Sequence, residues 1–215
     1  MKNILKHALI TVTLFTAAQG AVAAGDAAAG EKKSAVCGAC HGADGNSMAP
    51  NFPKLAGLGE KYLIKQMQDV KSGARPIVEM TGLFNAMSDQ DMADIAAYFT
   101  SKPMQLSGAK EIEVQVNSGI KVDGLELGTK VYRSGNATVG MPACTGCHSP
   151  TGQGNAPAGY PRLSGQHSAY IEKQLRDFRA GNRTNDGESK IMRQVAEHMS
   201  DAEIIAVANY ISGLH

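Results

Sequence analysis

Two short strings, VCGACH at residues 36–41 and ACTGCH at residues 143–148, contain all four cysteines of this 215-residue chain. Each string has the form Cys-x-x-Cys-His. On a helical turn, residues at positions i, i+3 and i+4 lie on the same face. We therefore expect three side chains of each string to converge: Cys37, Cys40 and His41 in the first, and Cys144, Cys147 and His148 in the second.

A converging pair of thiols beside an imidazole indicates a covalently attached cofactor. The pattern is typical of c-type haem, in which both thiols become thioethers with the porphyrin and the histidine binds the iron. A disulfide within a pair would close a very small loop and constrain little of the unfolded chain. A redox-active Cys-x-x-Cys would lie near a βαβ pattern, and a zinc site from all four cysteines would leave both histidines unexplained. The sequence therefore predicts two covalent c-type haems.

The first residues have the pattern of an export signal. Lys2 and Lys6 precede a short, mostly apolar run at residues 8–18, and Ala-Val-Ala at 21–23 matches a signal-peptidase site. We predict that residues 1–23 are a signal peptide and that the mature protein is exported, with a retained N-terminal anchor as the alternative.

Net charge excludes one class of partner. Residues 1–23 contain two of the 21 basic residues, so the mature chain, with 20 acidic residues, has a formal charge of −1. Nucleic-acid binding requires a clustered basic excess. We therefore expect no nucleic-acid partner.

The chain contains one domain twice. Residues 50–75 align without gaps with 158–183, and residues 80–99 align with 192–211, each block following its own Cys-x-x-Cys-His string. Such a repeat indicates a duplicated domain. The predicted organisation has three parts: a first domain at 24–104, a linker at 105–126 and a second domain at 127–215.

Each domain is predicted to be small and helical. Apolar residues recur at helical spacing within 57–72, and capping-box patterns at Ser88 and Ser200 indicate the start of the last helix in each half. The linker is expected to be extended, with a short local strand as the alternative. Domains this short have little core material, so a cofactor should fill each centre. The predicted fold is all-α, with each domain wrapped around one haem.

The sequence offers several methionines and histidines as candidates for the sixth iron ligand. Met80 and Met192 are in register and lie in the loop before the last helix, outside any apolar stripe, so we assign them as axial ligands. Met87 and Met199 are also in register, but each directly precedes a capping serine, where a side chain packs as a hydrophobic staple. His198 is the best of three rival histidines, all in the second half, but a duplicated site should use duplicated ligands.

Pro53 and Pro161 each open a Pro-x-Leu-x-Gly segment shortly after a Cys-x-x-Cys-His string. A proline carbonyl can accept the second imidazole proton of the histidine and fix its ring. We predict this contact in both halves, with a simple turn proline as the alternative. Four further residues fit haem-propionate contacts and solvated surface positions equally well: Arg75, Arg183, Tyr62 and Tyr170.

The chain resembles the dihaem cytochrome c4 family. The resemblance rests on VCGACHG and ACTGCHS, on NFPKLAG and YPRLSGQH, on DFRAGNRTNDG, and on MTG and IMR, and it spans nearly the whole mature chain. It implies two tandem class I cytochrome c domains packed face to face, with both haems ligated by histidine and methionine and their propionate edges near the interface. For this chain it implies Met80 and Met192 as the sixth ligands.

The resemblance also implies a bacterial periplasmic electron carrier that feeds a terminal oxidase, often of the cbb3 type, and we expect a quinol-oxidising complex as donor. Iron held between histidine and methionine has no open position for a substrate, so we expect an electron-transport protein of the respiratory chain and no enzyme. The rival is a dihaem peroxidase or thiosulfate-oxidising enzyme, which needs an open sixth site. Peripheral membrane association and permanent docking to a membrane complex stay open.

Overall fold

The structure, a computed structural model, describes residues 24–215. The predicted signal peptide at residues 1–23 lies outside the described residues. In the first half a 3-10 turn at Val78–Met80 stands before the last helix. The helices of this half are α1 (Ala27–Lys33), α2 (Ala35–His41), α3 (Glu60–Ser72) and α4 (Asp89–Thr100).

The second half repeats this order. A short helix takes the place of the 3-10 turn before the last helix, and a further 3-10 turn at Ala137–Val139 precedes the second cysteine string. The helices are α5 (Gly124–Ser134), α6 (Thr145–His148), α7 (Ser168–Ala180), α8 (Ile191–Glu197) and α9 (Asp201–Gly213). The prediction of two small helical domains is confirmed.

In each half, the first helix packs against the last helix at a glycine. Gly30 in α1 lies against the Asp94 carbonyl of α4, and Gly128 in α5 lies against the Ala206 carbonyl of α9. A Cβ atom at these glycines would approach the two oxygens to 1.9 and 2.3 Å. Only a residue without a Cβ lets the backbones come this close. Nothing in the sequence pattern distinguishes these glycines from others.

The last helix of each half begins at its predicted cap. The Ser88 hydroxyl accepts a hydrogen bond from the Asp91 backbone N–H at 3.1 Å, and the Asp91 carboxylate accepts from the Ser88 backbone N–H at 2.9 Å. Ser200 and Glu203 form the same pair of bonds, at 3.3 and 2.8 Å. Both capping boxes are confirmed.

The helix expected at 57–72 starts three residues later, at Glu60, and ends as expected at Ser72. Gly57 and Gly59 have positive φ angles of 66° and 94°. A right-handed helix cannot include that conformation, so the preceding turn extends to residue 59.

The linker is more ordered than an extended connector. β1 (Glu113–Gln115) and β2 (Lys121–Asp123) pair as an antiparallel hairpin, the only sheet within residues 24–215. Val114 of β1 is buried against α9. The side-chain amide of Asn209 bonds the carbonyl and the N–H of Lys110 at 2.8 and 3.0 Å. The linker thus packs along the second half, and the alternative of a short local strand is confirmed.

Each half has its own apolar core. Leu63 and Met67 of α3 are buried in the first core, and their counterparts in the repeat, Ile171 and Leu175 of α7, are buried in the second. No helix between residues 24 and 215 is long and apolar enough to cross a membrane.

A group of hydrogen bonds ties the two halves and the linker together. The Gln166 side-chain amide bonds both the N–H and the carbonyl of Lys54, each at 2.9 Å. His167 Nε2 lies 2.8 Å from the Ser47 carbonyl oxygen, and its Nδ1 lies 3.0 Å from the Ser107 hydroxyl of the linker. We call these five residues the interface cluster.

Candidate haem sites

The first site is a cavity of about 720 Å³. α2 places Cys37, Cys40 and His41 in its lining, and the 3-10 turn before α4 adds Met80. All four predicted residues of the first half are therefore brought around one space. Most of the other lining side chains are apolar, as a large planar cofactor requires.

A backbone carbonyl orients the histidine of the first site. His41 Nδ1 lies 2.8 Å from the Pro53 carbonyl oxygen, which can only accept, so Nδ1 carries the proton. Nε2 then keeps its lone pair for a metal. Burial lowers the pKa of His41, against a smaller upward effect of the Pro53 carbonyl, so the neutral form is favoured.

The second site repeats this orientation. His148 is 7% exposed, like His41, and its Nδ1 lies 3.0 Å from the Pro161 carbonyl oxygen. Burial also lowers the pKa of His148. The predicted proline contact is thus confirmed in both halves. Cys144 and Met192 pack against the same apolar core, and Cys147 is half-buried.

The chemistry of the thiols favours covalent haem over the alternatives. Burial raises the pKa of the Cys144 thiol to about 11 and raises that of Cys37 above its ordinary value. Redox-active Cys-x-x-Cys motifs show the opposite, a lowered thiol pKa. Within residues 24–215 no three His, Cys, Asp or Glu side chains are grouped closely enough to hold a bare metal ion. The spacious apolar cavity, thiol pair and oriented imidazole fit a haem.

The two predicted sixth ligands lie in different local structures. Met80 ends the 3-10 turn, whereas Met192 is the second residue of α8, and both are half-buried. Met87 also lines the first cavity, but its counterpart Met199 is buried in the second core with 4% exposure. The choice of Met80 and Met192 stays a prediction.

The rival histidines have other surroundings. His198 is exposed at the C-terminal end of α8. His167 belongs to the interface cluster, and His215 is exposed with its Nδ1 2.9 Å from the Gly213 carbonyl oxygen. None of the three has a counterpart histidine in the first half.

Arg75 connects the first site to the second half. Its guanidinium donates to Gln66 Oε1 at 2.9 Å within its own half. Across the interface it donates to the Tyr170 hydroxyl at 3.1 Å and to Gln174 Oε1 at 3.0 Å. Tyr170 and Gln174 also line the first cavity, so the second half completes this wall.

Arg183 makes the reciprocal contacts. It donates to Gln174 Oε1 at 2.8 Å in its own half, and to the Tyr62 hydroxyl and Gln66 Oε1 at 3.3 and 3.1 Å across the interface. Asn185 Nδ2 adds a third donor to Gln66 Oε1, at 2.9 Å. We call these residues, with Arg75 and Tyr170, the arginine network.

Two roles were predicted for Arg183, a haem-propionate contact or a solvated surface position, and the structure corrects the second. Arg183 is 9% exposed and hydrogen-bonded on every side described above, so a solvated surface position is wrong for it. Propionate contact stays a prediction. Gln66 and Gln174 occupy equivalent positions in the two aligned blocks. The sequence pattern does not show whether a glutamine at such a position is buried or exposed. Asn185 has no counterpart within the aligned blocks.

Comparison with known proteins decides the family. A family model described as cytochrome c matches the chain twice, at residues 23–102 and 126–215. The chain is 54% identical, over 100% of both chains, to the protein named cytochrome c4 from Pseudomonas aeruginosa. The chain belongs to the cytochrome c4 family. Its two tandem cytochrome c domains imply two covalent c-type haems, so it is a dihaem electron-transfer cytochrome.

A solved structure supports the same conclusion. Reduced recombinant cytochrome c4 from Pseudomonas stutzeri is 53% identical and superimposes with a TM-score of 0.82, covering 89% of this chain and 100% of that one. The chain is also similar, more distantly, to the thiosulfate dehydrogenase electron acceptor of Stutzerimonas stutzeri. It is 35% identical over 83% of this chain and 78% of its own.

Proposed function

We propose that this cytochrome works in the periplasm and passes single electrons to a terminal oxidase of the cbb3 type, with a quinol-oxidising complex as donor. The main support for the haem sites is the histidine–proline contact in both halves, which leaves each Nε2 available for iron. The proposed roles are thioether attachment by Cys37, Cys40, Cys144 and Cys147, proximal ligation by His41 and His148, and sixth ligation by Met80 and Met192.

Bound haem supplies a one-electron redox couple, and the residues of this chain position and shield it. Pro53 and Pro161 hold the two imidazole rings, and a hydrogen bond to the second ring nitrogen increases the basicity of the ligating one. A methionine sulfur as sixth ligand raises the reduction potential. It also fills the position that a substrate would need, so the site favours electron transfer over catalysis.

The ligand assignment is tested by the near-infrared spectrum of the ferric, haem-loaded protein. Two histidine–methionine centres should give a methionine–iron charge-transfer band with the intensity expected for two haems per chain. A band for one haem, or high-spin signals, would contradict the assignment in one half.

The enzymatic alternative is tested with carbon monoxide. A dihaem peroxidase or thiosulfate-oxidising enzyme needs an open or displaceable sixth site, and carbon monoxide would bind there in the reduced protein. We expect no binding at neutral pH. The related Stutzerimonas protein is named as an electron acceptor, which supports a carrier role.

The proposed partners are tested with membranes. Reduced protein should sustain oxygen consumption by membranes that contain a cbb3-type oxidase, while membranes that retain other oxidases but lack this one serve as control. Equal rates would contradict the choice of acceptor. For the donor, quinol and membranes should reduce the ferric protein, and an inhibitor of the quinol-oxidising complex should stop the reduction.

Export is tested by the mass of the isolated protein, and the domain limits are tested by limited proteolysis. The protein isolated from the periplasm should have the mass of the chain from Ala24 onward plus two haems. A mass that includes residues 1–23 would indicate a retained anchor. We also propose that limited proteolysis cuts within the predicted linker at 105–126, at its exposed residues outside β1, β2 and α5, before it cuts within 24–104 or 127–215.

A further inference from the structure

One peptide group beside the first haem site forms hydrogen bonds on both of its sides. Its carbonyl is that of Pro53, which accepts from His41 Nδ1 at 2.8 Å. Its N–H belongs to Lys54 and donates to Gln166 Oε1 of the second half at 2.9 Å. A continuous series of hydrogen bonds thus runs from the second half to the proposed proximal ligand of the first haem. We call these four residues the peptide bridge.

The side-chain amide of Gln166 is fixed in this orientation. Gln166 is only 1% exposed. Its Oε1 accepts from the backbone N–H groups of Lys54 and His167, at 2.9 and 3.0 Å, and its Nε2 donates to the Lys54 carbonyl at 2.9 Å. Rotation of the amide by half a turn would place its NH2 group against two N–H donors and its oxygen against a carbonyl. The acceptor of the Lys54 N–H is therefore the side-chain oxygen.

The second half has no equivalent peptide bridge. His148 contacts the Pro161 carbonyl in the same way, at 3.0 Å. The N–H of that peptide group belongs to Arg162, and it forms no hydrogen bond with any group that the structure describes. Leu58 takes the position of Gln166 in the first half, and its side chain cannot accept a hydrogen bond. Both histidines thus have a carbonyl partner, but only the carbonyl of the first half belongs to a peptide that the other half also binds.

A hydrogen bond on one side of a peptide group strengthens the bond on its other side. Donation by the Lys54 N–H moves electron density towards the Pro53 oxygen, and hydrogen bonds in series strengthen one another by about 10–30% each. A more negative Pro53 oxygen attracts the Nδ1 proton of His41 more strongly, which makes Nε2 a better electron donor. Better donation to iron stabilises the ferric state and lowers the reduction potential.

We propose that Gln166 is a positioning residue of the second half that lowers the reduction potential of the first haem. It acts through the peptide group between Pro53 and Lys54, and through His41. The inference rests on the proposed ligation of iron by His41. It adds a route by which contact between the halves sets the driving force for electron transfer, because separation of the halves would break the Gln166 bond and raise the potential of the first haem alone.

The test is a redox titration of the haem-loaded protein at about pH 7.5, followed by nuclear magnetic resonance, in which the haem methyl signals distinguish the two haems. Gln166→Leu introduces the residue of the first half and removes the acceptor of the Lys54 N–H. It should shift the reduction equilibrium of the first haem about threefold towards the ferrous form, or about 30 mV at about 59 mV per tenfold. The second haem should keep its potential. In the ferrous protein the Nδ1 proton of His41 should move to higher field, because its hydrogen bond is weaker.

His167→Ala is the matched control. It removes the side-chain contacts to Ser47 and Ser107 and so loosens the same interface, but it leaves the peptide bridge in place. It should shift neither haem by more than about 1.5-fold, since His167 is neutral at about pH 7.5. Gln166→Met keeps the length of the side chain and should reproduce the shift of Gln166→Leu even where the shorter residue disturbs folding.

Equal shifts in Gln166→Met and His167→Ala would overturn the proposal, because a looser interface would then explain both. An unchanged potential of the first haem in Gln166→Met, or equal shifts of the two haems, would also overturn it. Failure of the proposed function gives a different result. A wild-type protein without two low-spin haems would contradict iron ligation by His41 or His148, whereas two low-spin haems with an unchanged first potential in the Gln166 variants would contradict the peptide bridge alone.

Discussion

At the scale of single residues, one carbonyl group in each half determines which imidazole nitrogen can bind iron. The Pro53 and Pro161 carbonyl oxygens lie 2.8 and 3.0 Å from the Nδ1 atoms of the two histidines. The contact was predictable because a proline opens a Pro-x-Leu-x-Gly segment 12 or 13 residues after the histidine of each string, and this repeated placement needs a shared reason. The sixth ligand is less constrained, because Met80 and Met87 both line the first cavity.

Single methionine substitutions distinguish these ligands. We expect Met80→Ala and Met192→Ala each to remove about half of the near-infrared charge-transfer band of the ferric protein and to lower the potential of one haem, since a methionine sulfur ligand raises the potential and its removal loses that effect. Met87→Ala and Met199→Ala are the matched controls and should keep the full band. Loss of half the band in Met87→Ala would reassign the ligand of the first haem.

At the scale of elements, the crossing of first and last helix in each half depends on the absence of a side chain. We expect Gly30→Ala and Gly128→Ala to lower the free energy of unfolding by at least about 2 kcal/mol each, because the added Cβ meets a backbone carbonyl that cannot rotate away. Gly146→Ala in α6 is the control, since a Cβ there meets nothing within 4 Å. Denaturant titration of the haem-loaded variants measures the difference; equal stability in all three would show that the crossing relaxes freely.

Elements were predictable where the signal is local. The Ser88 and Ser200 caps are set by residues three positions apart, and the structure has both. The start of α3 was misplaced because periodicity does not show that Gly57 and Gly59 adopt positive φ angles. The packing of Val114 on α9 was also beyond a local pattern, since it depends on contacts between distant segments.

At the scale of the whole molecule, the interface cluster makes the stability of the contact between the two halves depend on pH. Burial lowers the pKa of His167; the Ser47 carbonyl raises it and Lys54 lowers it further. A histidine with a lowered folded-state pKa contributes stability that is present above its unfolded value of about 6.5 and is lost as pH falls below it. At neutral pH, His167 therefore donates from Nε2 to Ser47 and accepts at Nδ1 from Ser107.

This pH dependence is measurable. Between about pH 7.5 and about pH 5.5, the denaturation midpoint of the wild type should fall more than that of His167→Gln, which has no group to titrate there. His198→Gln removes an exposed histidine and should follow the wild type. Parallel curves for wild type and His167→Gln would show that the interface cluster tolerates the proton.

The arginine network joins the halves near the first cavity, and its position could not be inferred from sequence because each arginine bonds partners from the other repeat. Gln66 Oε1 is its common acceptor, with Arg75, Arg183 and Asn185 donating at 2.9, 3.1 and 2.9 Å. A glutamine that accepts three donors in a buried position is costly to remove, because the donors lose their acceptor and cannot recover it from water.

Substitution of that acceptor tests whether the network holds the halves together. Gln66→Leu should lower the free energy of unfolding by about 2–3 kcal/mol, because it takes one hydrogen-bond acceptor from each of Arg75, Arg183 and Asn185 at a buried position. Gln68→Leu, two residues along α3, is the matched control: Gln68 is exposed, its contact to Asp89 is 3.5 Å long, and its loss should cost less than about 0.5 kcal/mol. Equal costs would mean that water reaches Arg75 and Arg183 in solution, and that the two halves separate more readily than their hydrogen bonds indicate.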